Sequence, residues 1–179
     1  MIWPSYPNDT LGRLWLAYTA DTTNQTSQAV VVAGVADSPP VSVLQTSFVA
    51  PSAAGLYYNR STHPEGSAYK YHIALYFAEL DPRVNASGLR VFDVSINGKS
   101  FSKGIDVYAV VGLYAVCEIY STVPVGPFSD YVLINLTSTA GSLFPPFIAA
   151  AEILQLVQNP MVPPTSSVDS KSQFYFQDP

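Results

Sequence analysis

Two stretches of this chain alternate so regularly that they leave little choice of backbone. In "YKYHIALYFAEL" (69–80), Tyr71, Ile73, Leu75 and Phe77 fall on one side, and Lys70, His72, Ala74 and Tyr76 on the other. In "LRVFDVSING" (89–98), Phe92, Val94 and Ile96 oppose Val91, Asp93 and Ser95. A period of two is that of a strand with one buried face. The first set in each run is assigned to the core and the second to solvent. The second run ends in Asn97-Gly98, a pair that tolerates the positive φ angles of a two-residue hairpin turn. "DYVLINLTS" (130–138) repeats the pattern, with Val132, Ile134 and Leu136 inward and Asn135 outward.

The rest of the chain is cut short in the same way. Fifteen prolines and ten glycines divide 179 residues into brief runs of Val, Ile, Tyr and Phe, which points to an all-β fold. "QAVVVAGVA" (28–36) reads as a strand or part of one. "PPVSVLQTSFVAP" (39–51) reads as another, with Val41, Val43 and Gln45 alternating. Residues 99–121 supply one or two further strands. "LFPPFIAAAEILQLV" (143–157) also permits a helix, but its prolines and the all-β context favour a strand. The expectation is an antiparallel two-sheet β-sandwich over residues 1–157. From Gln158 the chain turns Pro/Ser-rich, so 158–179 reads as a linker or tail.

Charge and residue types narrow the function. Charged residues make up 12% of the chain and the net charge is −5, which speaks against a phosphate-binding surface and hence against nucleic acid as a partner. No apolar run approaches the roughly 18 residues of a membrane span, so no membrane insertion by this segment is expected. Cys117 stands alone in an apolar run and reads as a small core residue. Neither His63 nor His72 has ligand or base partners at a useful spacing, so no metal, cofactor or catalytic role is expected. Glu79 and Asp81 lie at i and i+2 near a strand end, a spacing a glycosidase pair permits. They read instead as solvated carboxylates that organise a turn, and Asp93 and Asp106 as solvent-facing.

Five of the seven asparagines open an N-x-S/T sequon: Asn8, Asn24, Asn59, Asn85 and Asn135. Such an excess reads as a secreted or cell-surface glycoprotein with sugars at exposed positions. The N-terminus "MIWPSYPNDT" carries neither the basic segment nor the apolar stretch of a signal peptide. The two observations together read as a piece of a longer secreted protein. Tyr57 and Tyr58 adjoin a polar loop, where amphipathic rings can meet a ligand.

"YPNDTLGRLW" (6–15), "VLQTSFVA" (43–50), "YHIALYFAEL" (71–80), "RVFDVSING" (90–98) and "SLFPPFIAAAEI" (142–153) stand in order along the chain. In that order and at that spacing, they resemble the malectin-like domain of plant receptor-like kinase ectodomains. The resemblance covers about residues 5–157, and the opening is similar to the second of two tandem lobes. It implies a galactose-binding or jelly-roll-like sandwich and a non-enzymatic, extracellular module at the plasma membrane. The implied ligands are a cell-wall carbohydrate or a secreted peptide, with a second malectin-like lobe and co-receptors as neighbours. The alternative is a structural spacer lobe with no ligand of its own. Animal malectin carries two sugar-stacking aromatics directly after its version of "FAE". Asp81-Pro82 occupies that place here, so Asp81 is a candidate ligand contact and malectin's disaccharide is not carried over. Ala149 also departs from the family, whose plant members usually have an asparagine there.

Overall fold

The computed structural model describes residues 9, 13, 15–18, 23–35, 37–52, 55–61, 69–128, 131–156 and 172–176, and only the backbone of 16–18, 56–61 and 172–176. The elements in chain order are β1 (Trp15–Tyr18), β2 (Thr23–Gln25), α1 (Val41–Leu44), β3 (Thr46–Val49), β4 (Leu56–Ser61), β5 (Tyr69–Ala78), β6 (Phe92–Ile96) and β7 (Lys99–Ile105). They continue with α2 (Val107–Val111), β8 (Val116–Tyr120), β9 (Val125–Phe128), β10 (Tyr131–Ser138), β11 (Phe147–Ile148), β12 (Ala150–Leu156) and β13 (Ser172–Phe176). The larger sheet runs β1-β13-β12-β5-β8, with β9 also pairing with β5. The second runs β4-β10-β6-β7, and a small third sheet runs β11-β3-β2. All pairings are antiparallel except β1 with β13.

The two large sheets form the expected sandwich. Its core is Tyr71, Ile73, Leu75 and Phe77 from β5, Phe92, Val94 and Ile96 from β6, and Val132, Ile134 and Leu136 from β10. Phe77, Phe92 and Phe147 form a triad with ring centroids 5.4–6.0 Å apart, tying the sheets together at one end. Cys117 is half-buried and packs against this core. Asn97 and Gly98 have φ of 47° and 75° and join β6 to β7 as the hairpin pattern predicts.

Several expectations need correction. The second face of β5 is a solvent face only at its start: Lys70 is exposed and His72 half-buried, but Ala74, Tyr76 and Ala78 are buried in a second core with Trp15, Val30, Val43 and Leu44. Alternation shows that two faces differ; it does not show that one of them is wet. Residues 41–44 form a one-turn helix rather than a strand, closed by the Gln45 N–H donating to the Val41 carbonyl at 3.0 Å, and the turn buries both Val43 and Leu44. Residues 28–35 make only an isolated bridge, Val31 to Ala115. Between β7 and β8 lies α2, which Asp106 caps by accepting the Ala109 N–H at 2.9 Å. Ser172–Phe176, inside the stretch read as a tail, is a strand seated between β1 and β12.

Candidate functional site

Two constructions frame the larger sheet. The first follows β5, at the end of the sandwich where Asp81-Pro82 stands. Glu79 is not solvated, as the sequence suggests, but buried, because β5 carries it under Arg90. Its carboxylate accepts Arg90 Nη1 at 3.0 Å on both oxygens, and Oε1 also accepts the Asp81 N–H at 3.0 Å. Asp81 Oδ1 accepts the Arg83 N–H at 3.0 Å, and the Arg83 guanidinium reaches both Asp81 oxygens at 2.7–3.2 Å. Arg90 Nη2 lies 3.8 Å from Asp81 Oδ2. The Arg83 and Arg90 guanidiniums lie 5.5 and 5.4 Å from the Phe144 ring, and Arg90 lies 4.8 Å from Phe147. Burial pushes the Glu79 carboxyl up to about 7, against the opposing pull of Arg90. The hydrogen bond from Arg83 holds Asp81 below the ordinary carboxylate value. The arrangement clamps the 79–91 loop onto the aromatic triad, and both carboxylates are spent on arginines.

The second construction explains the spacing of the N-terminal motif. Arg13 is buried, donating from Nε to Asp9 at 2.9 Å and from Nη1 to Glu152 Oε2 at 3.2 Å. It also donates to the Asp37 and Ser38 carbonyls and lies 5.0 Å from the Trp15 ring. Trp15 Nε1 donates to Asp9, and Tyr76 Oη to Glu152 at 3.2 Å. Thus the Asp, Arg and Trp of "NDTLGRLW" latch onto the Glu of "AAAEI" across the outer face of β12 and β5. Burial, and then the Glu152 charge, raises the Tyr76 hydroxyl far above its ordinary value. Burial alone would lower the Arg13 pKa; the Asp9 hydrogen bond and the Glu152 and Asp9 charges outweigh it and raise it.

Beside this latch the outer face opens into a cleft of about 210 Å³. The register sets its plan, with Glu152 opposite Ala74, Ala74 opposite Tyr120, Tyr76 opposite Glu118, and Leu154 opposite His72. Ala74 is therefore a small floor ringed by larger side chains. Asp37, on the segment that covers the second core, closes one side. Tyr120 is 57% exposed. His72 is half-buried and lines the cleft.

The other site candidates are dispersed. Tyr57 and Tyr58 lie in β4 of the four-stranded sheet, in register with Asn135 and Ile134; their side chains lie outside the described residues. Asp81 belongs to the loop leaving the larger sheet. Asn85 is exposed in that loop, whereas Asn24 in β2 and Asn135 in β10 are half-buried. Asn135 Oδ1 is enclosed without a hydrogen bond, in the space a Cβ on Gly55 would approach to 3.2 Å. Asn8 and the Asn59 side chain lie outside the described residues. Asp93 and Asp106 are half-buried and accept the Gly104 and Gly88 N–H groups at 2.7 and 2.6 Å. The cleft was not found by sequence reasoning. The signal it offered was an alanine flanked at i±2 by His72 and Tyr76 on the second face of β5.

Fold and site together define a β-sandwich module with a cleft on the outer face of its larger sheet. The family model of the malectin-like domain matches residues 2–156, and the chain belongs to that family. The nodulation receptor kinase of Pisum sativum is 31% identical over 132 residues, which are 74% of this chain but 13% of the kinase. Receptor-like protein 4 of Arabidopsis thaliana is 43% identical over 56 residues, 31% of this chain and 9% of that protein. This chain thus spans a small part of either relative. Among solved structures, plant FER in complex with the peptide RALF23 and LLG2 superposes with a TM-score of 0.64 at 18% identity, covering 76% of this chain and 38% of that one. The ANXUR2 extracellular domain from Arabidopsis thaliana gives 0.63 at 13% identity, covering 76% and 39%. A β-glucuronidase of Bacteroides uniformis gives 0.56 at 16% identity, covering 78% of this chain and 14% of the enzyme, a likeness of fold alone. Among the described residues no helix is long and apolar enough to cross a membrane.

Proposed function

We propose that this chain is an extracellular, non-enzymatic recognition module: one malectin-like lobe of a receptor ectodomain that binds a carbohydrate or a secreted peptide. The observation that carries the reading is the family match over residues 2–156, beside the sequence similarity to a receptor kinase and a receptor-like protein. The FER structure, which holds a peptide and LLG2, supports a peptide ligand and a co-receptor for a domain of this fold. The pairing of Glu79 and Asp81 with arginines supports a non-catalytic role, since neither carboxylate is placed as an acid or base beside an open site. Tyr57, Tyr58 and Asp81 are proposed ligand contacts, and Asn8, Asn24, Asn59, Asn85 and Asn135 proposed glycan acceptors. A second malectin-like lobe beside this one fits the 38–39% share of the plant ectodomain chains that it covers.

The test is binding. The chain, secreted from a eukaryotic host so that it carries its glycans, is titrated with oligosaccharide and peptide panels, alone and fused to a neighbouring lobe. Saturable binding of either class is expected. Silence towards both in the fused form, with folding verified, overturns the reading.

A further inference from the structure

The cleft over Ala74 has a chemistry more particular than "ligand site". Neighbouring strands lie about 4.8 Å apart, so Glu152 and Tyr120, two strands apart across Ala74, stand about 10 Å from each other. Along β5, His72 and Tyr76 flank Ala74 at i±2, each about 7 Å away. One small residue thus sits among four large ones, on a face where small-residue floors are otherwise covered by the N-terminal segment. The resulting volume, about 210 Å³, falls below the roughly 300–1,000 Å³ of sites for drug-sized molecules. It has room for one ring, and the remainder of a longer ligand would run along the sheet surface.

The walls differ in kind. Tyr120 presents a large exposed aromatic surface and Leu154 an apolar edge, while Asp37, Glu118, Glu152 and His72 supply hydrogen-bonding groups. A sugar ring has the matching duality, with C–H faces that pack on an aromatic ring and a rim of hydroxyls that donate to carboxylates. The balance of charge selects further. Among the described residues three carboxylates line the cleft, and the Arg13 guanidinium that pairs with one of them, Glu152, also serves Asp9. A uronic acid would bring a fourth negative charge to this face, at a cost of like-charge repulsion. A lone ammonium would use the carboxylates and leave most of the apolar lining unfilled.

We propose that this cleft is a subsite for one ring of a neutral sugar, seated over Ala74 with a face on Tyr120 and hydroxyls on Glu118, Asp37 and His72. The proposal rests on the recognition reading and names the ligand class of its site. It is tested by calorimetric titration of the glycosylated full chain with neutral gluco-, xylo- and manno-oligosaccharides. Neutral N-glycans form a second arm, oligogalacturonides an anionic arm and a lysine-rich peptide a cationic arm. Binding of a neutral probe is expected, weakened at least tenfold by Tyr120→Ala and by Ala74→Leu, and left unchanged by Val110→Ala, a substitution of an exposed residue in α2. Because Ala74→Leu can disturb packing, Glu118→Gln serves as the conservative variant and is expected to lower affinity several-fold, with its folding verified by thermal unfolding. Preference for the anionic or cationic probe, or neutral binding indifferent to Tyr120→Ala and Glu118→Gln, overturns the cleft proposal and leaves the recognition reading standing. Silence towards every probe, in a chain that also ignores peptides beside a second lobe, overturns both.

Discussion

Arg13 ties the N-terminal segment to the sheet. Its guanidinium is almost completely buried and is shared by two carboxylates and two carbonyls. Removing one partner of such a buried pair leaves uncompensated charge, which generally costs roughly 3–5 kcal/mol. Arg13→Met is therefore expected to lower the stability of the chain by about that amount in urea unfolding. Adding Glu152→Gln to Arg13→Met is expected to recover part of the loss, because the stranded carboxylate is gone. A single substitution costing less than about 1 kcal/mol would show that the latch is ornamental. "NDTLGRLW" and "AAAEI" were legible as motifs in the sequence. Their meeting was not, since 139 residues separate Arg13 from Glu152 and charge spacing along a chain says nothing of contacts across a sheet.

At the scale of elements, local signals were legible wherever the backbone itself is constrained. Asn97-Gly98 specified its turn, and Asn97 adds a clamp by accepting the Leu133 N–H at 2.7 Å and donating to the Tyr131 carbonyl at 3.0 Å. Gly98 has φ of 75° with open space where a Cβ would stand. Gly98→Ala is expected to cost about 1–2 kcal/mol through backbone strain, with no steric clash to add to it. Asn97→Ala is expected to cost more, because it loses both hydrogen bonds as well as a residue suited to positive φ. Chemical denaturation of the two variants checks the order; a neutral Asn97→Ala would mean that the clamp does not form. Helix α2 carried its own signals in Asp106 and Gly112, a capping residue before the helix and a glycine at its end, which the apolar run between them masked. The burial of both faces of β5 had no local signal at all. It depends on Trp15, Val30, Val43 and Leu44, which pack against that face from other segments, while Ala74 and Asp37 also line the cleft beside them.

For the whole molecule the two ends of the pH scale act on different arginine partners. Glu79 has a folded pKa of about 7 against an ordinary value of 4.5, because burial penalises its charge. A raised carboxylate pKa means that the folded state binds the proton more tightly than the unfolded state. Its contribution is fully present below about 4.5 and is lost as pH rises towards 7, amounting to about 3 kcal/mol. Asp81 has the opposite sign. Its pKa lies below the ordinary 3.8, so its contribution is present above that value and is lost as pH falls through the folded pKa. The two windows do not overlap, so this network places the stability maximum on the weakly acidic side of neutrality. Thermal unfolding between pH 3 and 8 is expected to show a midpoint that rises to about pH 4–5 and declines towards 7. Glu79→Gln is expected to flatten the declining limb and to leave the acid limb in place. A wild-type profile flat from 4.5 to 7 would mean that Arg90 holds Glu79 charged throughout. The loop clamped by this network carries Asn85 and rests, through Arg90, on the Phe147 ring that joins the sheets. Its titration therefore acts on the end of the sandwich remote from the cleft, and Glu79→Gln is expected to leave ligand affinity at the cleft unchanged.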